Sequence, residues 1–384
     1  MTARSLLTVS LVAVALVCVG LVALTVVARV TRLRRARRLE RLAAPHRRLL
    51  LEVAAGEDDD GSAAAALAAL PPAAWRSLRP VAVAMLGKVR GAPATAIVAT
   101  LDAHGEIDRA RAALGSRSAL RRANAAHLLG IVRDEASGPR LVALLDDRDE
   151  DVRVVCARAL GRIGEASAAD ALLRAAGPRA GRKRRRSAAV GDAVDHGVGP
   201  AGRPAGIPAW IAAEALLALR EDAADTVARG VGAPDPGVRA VAVTVTTHAG
   251  HSEAVELVRD HLPTERDPDV LEAMVECLGR VGVEADAPLL VGLTRAGSAP
   301  GLRRHTVRAL GRLGGPTALE RLRELLSDPD RATAAVAAEA LLDSGHAGVA
   351  VLQAERLAHP ATARAVSAAL HLAGLRGVAA VTRS

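Results

Sequence analysis

The sequence predicts an all-α fold, a right-handed α-solenoid of about nine helical hairpins preceded by one transmembrane helix. Three observations carry this reading. A motif, seen clearly in Asp151 to Gly164, DVRVVCARALGRIG, returns along most of the chain at a step of about thirty residues. Each copy is bracketed by helix start and stop signals. Ser5 to Ala28, SLLTVSLVAVALVCVGLVALTVVA, contains no charged residue.

From the N-terminus, the uncharged span at 5–28 is 24 residues. As a helix it is about 36 Å long, against a hydrocarbon thickness of about 30 Å, so it can cross a bilayer. A cleaved signal peptide has an apolar region of only about 7 to 15 residues ending at small residues. Here the run passes directly into Arg29-Val-Thr-Arg, which favours a retained anchor. Arg4 alone precedes the span, whereas Arg29 to Arg48 holds nine Arg against Glu40. The positive-inside rule then puts the N-terminus outside and the C-terminal solenoid in the cytoplasm, at the plasma membrane. In the basic juxtamembrane segment, 29–60, the candidate membrane-surface residues are Arg32, Arg34, Arg35, Arg37 and Arg38. Such a run sets topology and can also rest on anionic headgroups, at about 1 kcal/mol per basic side chain.

The body reads as repeats over 61–177 and 209–384, divided by an insertion at 178–208. Let the apolar residue after each acidic turn be position zero, which is Val152 in the copy at 151–164. Position +8 is then Leu86, Leu129, Leu160, Leu216, Thr246, Leu278, Leu310, Leu341 and Leu370, at steps of 43, 31, 56, 30, 32, 32, 31 and 29 residues. The two long steps mark extra residues, near Gly105 to Ser118 and at 178–208. Each unit is two helices around a turn, as in Glu253 to Leu262 and then Val270 to Arg280. Asp149, Asp235, Asp267 and Asp330 lie three residues before position zero, where a short side-chain oxygen caps orphan amides. Gly164, Gly250, Gly282, Gly314, Gly345 and Gly374 lie at +12, where a residue free to take positive φ closes a helix.

Positions zero, +1, +4, +5 and +8 share one helix face and are mostly Val, Ala and Leu, which makes that face the core. The exception is +1, which is Arg79, Arg122, Arg153, Arg239 and Arg303. These arginines are expected to be structural, bridging turn aspartates of neighbouring repeats. Trp75 and Trp210 are expected to pack, in a core otherwise built from small aliphatic side chains. Cys156 and Cys277 fall in different repeats and Cys18 in the apolar N-terminus, so they read as thiols and not as a disulfide framework.

The formal charge of +9 is unevenly placed. Besides the juxtamembrane run, the insertion carries six Arg and Lys183 against Asp192 and Asp195, among Gly, Ala and Pro. That composition predicts a disordered basic loop. What remains, residues 49–177 and 209–384, is mildly acidic, which argues against a nucleic-acid groove along it.

The combination of acidic turn, Val-Arg, Ala-rich helix and Leu-Gly-x-apolar-Gly resembles the HEAT repeat, in the short bacterial form named from phycobilin lyases, over roughly residues 62 to 384. The resemblance implies HEAT-like hairpins and a scaffold more often than an enzyme. Hydroxylases of this kind hold a di-iron centre with repeated His-Glu pairs, and no His here precedes Glu. His248-Ala-Gly-His251, with Glu253 and His261, is a weak metal-like pattern across a glycine turn, and Glu214 and Glu339 stand in repeats too far apart to work as a pair. No catalytic, cofactor or metal residue is assigned. HEAT-like DNA glycosylases need a basic, aromatic-rich surface, and residues 49–177 with 209–384 are net acidic and nearly free of aromatics.

Positions +6 and +10 lie one turn apart, away from the core face. They hold Arg158 and Arg162, Thr244 and His248, Glu276 and Arg280, and Arg308 and Arg312. The resemblance implies that the second-helix side grips partners, which makes Arg158, Arg162, Glu276, Arg280, Arg308 and Arg312 the candidate partner-binding residues. The expectation is a non-enzymatic, membrane-anchored, cytoplasm-facing scaffold or adaptor for a partner protein. By resemblance, it would be an accessory subunit of an envelope-associated complex. The alternative is a HEAT-like enzyme or cofactor-handling protein of the lyase or metal-dependent hydroxylase type.

Overall fold

The computed structural model describes residues 45–177, 206–295 and 297–358, with a few isolated positions nearer the two ends. Apart from Thr25 and Val27, the expected anchor lies outside the described residues. So do Arg32, Arg34, Arg35, Arg37 and Arg38, and residues 178–205 of the insertion. Among the described residues no helix is long and apolar enough to cross a membrane. They are helical and fall into two compact units, Met1–Ala113 and Leu114–Ser384.

In the first unit, helix α1 covers 45–55. It is followed by α2 (Ser62–Ala68), α3 (Pro72–Leu86), α4 (Ala92–Ala103) and α5 (Glu106–Ala113). The acidic turn between α1 and α2 is a cap: Asp58 accepts the amides of Ala63 and Ala64, both at 2.9 Å. Helix α5 accounts for the long first step in the repeat. Leu50, Leu67, Trp75, Leu78, Ile97 and Leu101 form the core. The Trp75 indole donates to Glu106 Oε1 at 3.1 Å and stacks on His104 with centroids 4.1 Å apart, so this tryptophan packs as expected.

The second unit begins with α6 (Ala119–Val132), α7 (Gly138–Ala143), α8 (Glu150–Ile163), α9 (Ala169–Ala175) and α10 (Ala209–Leu219). It continues through α11 (Ala224–Val231), α12 (Pro236–Ala249), α13 (Ser252–His261), α14 (Pro268–Val281) and α15 (Ala287–Val291). It ends, among the described residues, with α16 (Pro300–Leu313), α17 (Gly315–Leu325), α18 (Arg331–Asp343) and α19 (Gly345–Ala358). Helices alternate between two layers. The even-numbered ones, the second helices of the repeats, pack in order from α6 to α18, and odd-numbered first helices cover one side of them. The second helices α6, α8, α12, α14 and α16 have 14 residues each. Several first helices are short: α7 has 6 residues and α15 has 5, each entered through a 3-10 turn.

The caps follow from local chemistry. Asp149, Asp235, Asp267 and Asp330 each accept an amide hydrogen bond from the first turn of the helix they precede. Gly164 and Gly250 close α8 and α12 at φ 84° and 72°. Gly282 departs from expectation, with extended φ −73° and ψ 177°. There the Val283 amide turns onto Asp286 Oδ2 at 2.8 Å, so the chain leaves α14 without a left-handed residue. Gly345 has φ 72° but opens α19, and Ser344 caps α18. Gly374 lies outside the described residues.

The stack is set by the glycine that follows position +8. A Cβ on Gly130 of α6 would lie 2.6 Å from Ala159 Cα of α8, and one on Gly161 would lie 2.9 Å from Ala215 Cα of α10. The same contact joins Gly279 of α14 to Ala309 of α16, and Gly311 of α16 to Ala340 of α18, each at 2.7 Å. In every case the glycine at +9 meets the alanine at +7 of the next second helix, so the backbones come closer than ordinary side chains permit. Between α12 and α14 the pair is Thr247 and Cys277.

The insertion leaves and re-enters the stack at one point. The Ile207 amide donates to the Ala175 carbonyl at 2.8 Å, and Gly206 sits so close that a Cβ there would be 2.3 Å from the same oxygen.

Gly311→Val is expected to lower unfolding free energy by about 1–3 kcal/mol through overpacking, measured by urea denaturation. Gly301→Ala, in the first turn of the same helix with open space at its Cβ, should be neutral or slightly stabilising. Replacing residues 178–205 by a short Gly-Ser linker should leave the thermal transition in place, because the ends already meet and loop closure depends only weakly on length. Loss of that transition would give the insertion a structural role.

Candidate functional site

The arginines at +1 sort the polar chemistry of the stack into structural and free groups. On α6, Arg122 makes a bidentate contact with Asp147, Nε to Oδ2 at 2.8 Å and Nη2 to Oδ1 at 2.7 Å. Its Nη1 donates to the Ser116 carbonyl at 2.8 Å. On α12, Arg239 binds both oxygens of Glu265 at 2.7 and 3.0 Å. On α16, Arg303 Nη1 donates to Asp328 Oδ1 at 3.0 Å, and Nη2 contacts the other oxygen. All three acids stand two residues before the N-cap of the next second helix. Each also accepts that N-cap's own amide, from Asp149, Asp267 and Asp330. One carboxylate therefore ties a guanidinium to the following turn. The bridging role expected of these arginines holds, although Glu265, and Glu106 for Arg79 in the first unit, replace the expected aspartate.

Arg153 of α8 is the exception. It is buried and its Nη1 donates to the Asp147 carbonyl at 2.8 Å, but its Nε has no hydrogen-bond partner among the described residues. Counted in the repeat register, the carboxylate position before α10 is 203, an arginine of the insertion that lies outside the described residues. The insertion thus lands where a carboxylate would otherwise stand. On α10 and α14 the +1 residues are Ala209 and Leu271, and the matching turn positions are Ala233 and Gly297, so no charge is left over there.

Burial pushes the Asp147 carboxyl up, but the hydrogen bonds from Arg122 and the Asp149 amide, with the Arg122 charge, outweigh this and hold it below the ordinary aspartate range. Glu265 is lowered in the same way by Arg239 and the Asp267 and Arg266 amides. The Cys156 thiol, buried in the core, is pushed up to about 12 by desolvation, so it is not poised as a nucleophile. Cys277 is likewise buried and shifted upward by desolvation. In the odd-numbered layer, Arg259 of α13 pairs with Asp286 at 2.7 Å, a link across repeats that sequence spacing did not reveal.

The second-helix face carries the candidate partner-binding residues, and the structure brings two of them, Glu276 and Arg312, together. Glu276 of α14 accepts from Arg312 Nη1 at 2.8 Å and from His305 Nε2 at 3.0 Å, both on α16. Desolvation raises the Glu276 carboxyl, but Arg312 and His305 together bring it below its ordinary range. Arg158 of α8 pairs with Glu214 of α10 at 3.3 Å and lies over the Trp210 ring, 5.2 Å from its centroid. Arg162, Arg280 and Arg308 are exposed, and no carboxylate among the described residues holds them. Trp210 corrects an expectation: it is 63% exposed and does not pack. Its position, +2, is outside the core set and on the side of +6 and +10, which is the sequence signal that marks it.

The histidines of the weak metal-like pattern do not converge. His248 Nδ1 lies 2.9 Å from the Thr244 carbonyl, and His251 Nδ1 lies 3.8 Å from Glu221. His261 instead lines a shallow groove of about 430 Å³ between α11 and α13, with Asp225, Arg229 and Glu253.

A two-layered stack of short hairpins, capped by turn aspartates and clamped by arginines, defines a helical repeat protein. Residues 107–191, 224–304 and 294–373 match the family description HEAT repeats, and the chain belongs to that family. The sequence has no match among curated proteins. Among solved structures it is similar to the complex of CpcE and CpcF of phycocyanin lyase from Nostoc sp. PCC7120, at 20% identity over 63% of this chain and 91% of that one, with TM-score 0.27. It is also similar to human deoxyhypusine hydroxylase in complex with glycerol, at 18% identity over 79% and 97% and TM-score 0.30. An engineered protein is 17% identical over 84% and 97%, with TM-score 0.36.

The lowered carboxylates give a pH signature. A depressed folded-state value adds stability that is complete above the unfolded value, about 4, and is lost as pH falls through the folded one. Melting temperature is expected to drop from about pH 4 downward. Asp147→Asn should cost about 3–5 kcal/mol at neutral pH, because it leaves Arg122 buried without its counter-charge, and should flatten the acid limb. An unchanged acid limb would show that the clamp does not govern it.

Proposed function

We propose that this HEAT-repeat protein is a scaffold or adaptor that binds a partner protein at the plasma membrane, anchored through Ser5 to Ala28 with the repeats in the cytoplasm. It acts as a binding protein and not as a catalyst. In the finest form of the reading, it is an accessory subunit of an envelope-associated complex. The observation that carries the binding role is the second-helix face, where Arg162, Arg280 and Arg308 stand exposed on α8, α14 and α16 with no carboxylate among the described residues to answer them. HEAT repeats generally mediate protein association, and a stack gives such residues fixed spacing on rigid helices. The anchor is supported by the uncharged span and the nine arginines that follow it.

A reporter fused after Ser384 is expected to behave as cytoplasmic, and the mature N-terminus to map before Ser5. Reporter activity on the outer side of the membrane would remove the topology. Arg280→Glu with Arg308→Glu is the cleaner binding variant, because Arg312 is already paired with Glu276. The double reversal should change stability by only about 0.5 kcal/mol and should reduce recovery of a partner that co-purifies from membranes with the wild type. Full recovery would place binding elsewhere. A stoichiometric metal or chromophore on the purified chain would favour the lyase or hydroxylase type instead.

A further inference from the structure

Trp210 is the only exposed aromatic side chain among the described residues, in a chain that has two tryptophans and neither Phe nor Tyr. Arg158 is held between its ring, at 5.2 Å, and Glu214, at 3.3 Å. The guanidinium therefore covers one face of an indole that is otherwise exposed. Exposed Trp and Arg side by side are the residue types that dominate the energetics of protein interfaces, because each covers much area for few rotatable bonds. Nothing in the packing of α10 asks for an indole at +2, since the core side of that helix is filled by Ile211, Ala212 and Leu216.

The charge around it is one-sided. From α8 to α16 the acids at +6 and +10, Glu214 and Glu276, are each occupied by an arginine of an adjacent second helix. Arg162, Arg280 and Arg308 are left over against one exposed acid at +2, Glu272, so the face has surplus positive charge while the charges of the repeats over 61–177 and 209–384 sum to zero. With second helices about 9 Å apart, Arg162 and Arg280 are separated by about 27 Å. An extended chain covers that distance in about eight residues.

We infer that the second-helix face from α8 to α16 binds an acidic segment of the partner protein, which runs across the helices, places an apolar side chain on Trp210 and sets carboxylates against Arg162, Arg280 and Arg308. This rests on the scaffold reading and specifies what the scaffold grips. A carboxylate suits the arginines by bidentate geometry, and an apolar anchor uses the indole, which neither a phosphate backbone nor a lipid headgroup would require.

The test uses the full chain in detergent and a labelled synthetic peptide of glutamate pairs alternating with leucine, with its glutamine counterpart as control. Saturable binding should rise as salt is lowered, blue-shift the tryptophan emission, and be absent for the glutamine peptide. Trp210→Ala should abolish the emission change and weaken binding by about tenfold or more. Arg162→Glu with Arg308→Glu should do the same to affinity, with the melting temperature retained. Equal peptide affinity in the variants would assign binding to the basic flanks and overturn the proposal. So would a loss, in the variants, of binding to single-stranded RNA or to phosphatidylserine vesicles in place of the peptide. The two readings separate on the native partner. Its equal recovery by wild type and Trp210→Ala defeats this inference and leaves the scaffold, whereas no partner with the wild type defeats the scaffold itself.

Discussion

Everything in the second unit depends on how closely successive second helices approach. Gly161 against Ala215 and Gly311 against Ala340 bring backbone nearly onto backbone, and this spacing determines what else is possible. It allows a core of Ala, Val and Leu to fill the space without large aromatics. It brings an arginine at the start of one helix within reach of a carboxylate in the next turn. It also puts the +6 and +10 side chains of adjacent helices within ion-pair distance, as with Arg158 and Glu214 or Glu276 and Arg312. Side-chain dispersion at such contacts is individually small and accumulates along the stack.

The clamps show how a repeat handles a buried charge. Desolvating a guanidinium is costly unless its hydrogen bonds are met, and in three repeats they are met by the same carboxylate that accepts the N-cap amide. The charge chemistry within the stack is thereby used up on architecture. What remains on the surface, the unpaired arginines and Trp210, is available for contact with another molecule.

Much of the architecture was legible in the sequence, because its causes are local. A capping aspartate three residues before position zero, a glycine at +12 and an apolar face at helical spacing each act within one turn of helix. The plus-one arginines were legible in kind, since a buried Arg needs a partner. Their acids were not, because Asp147 or Glu265 lies 25 or 26 residues further on and is identified only by its place two before an N-cap. The glycine at +9 was visible as a repeated letter, but its purpose depends on an alanine in another helix. Gly282 failed as a left-handed stop because Asp286 offered its amide neighbour another route. Trp210 was misjudged from residue type: a large apolar side chain suggests burial, whereas its helical angle, shared with Arg158 and Glu214, points outward.

The mismatch at Arg153 has a consequence for how the array comes apart. A linear array holds together through nearest-neighbour couplings, and its cooperativity extends only as far as each of these is strong. Between α8 and α10 the glycine contact is present, but the Arg153 Nε has no hydrogen-bond partner among the described residues, where its counterparts bind a carboxylate. That junction is a seam. The repeats on its two sides, α6 to α9 and α10 onward, are the natural blocks into which mechanical or chemical stress divides the stack, with the insertion emerging at the line between them.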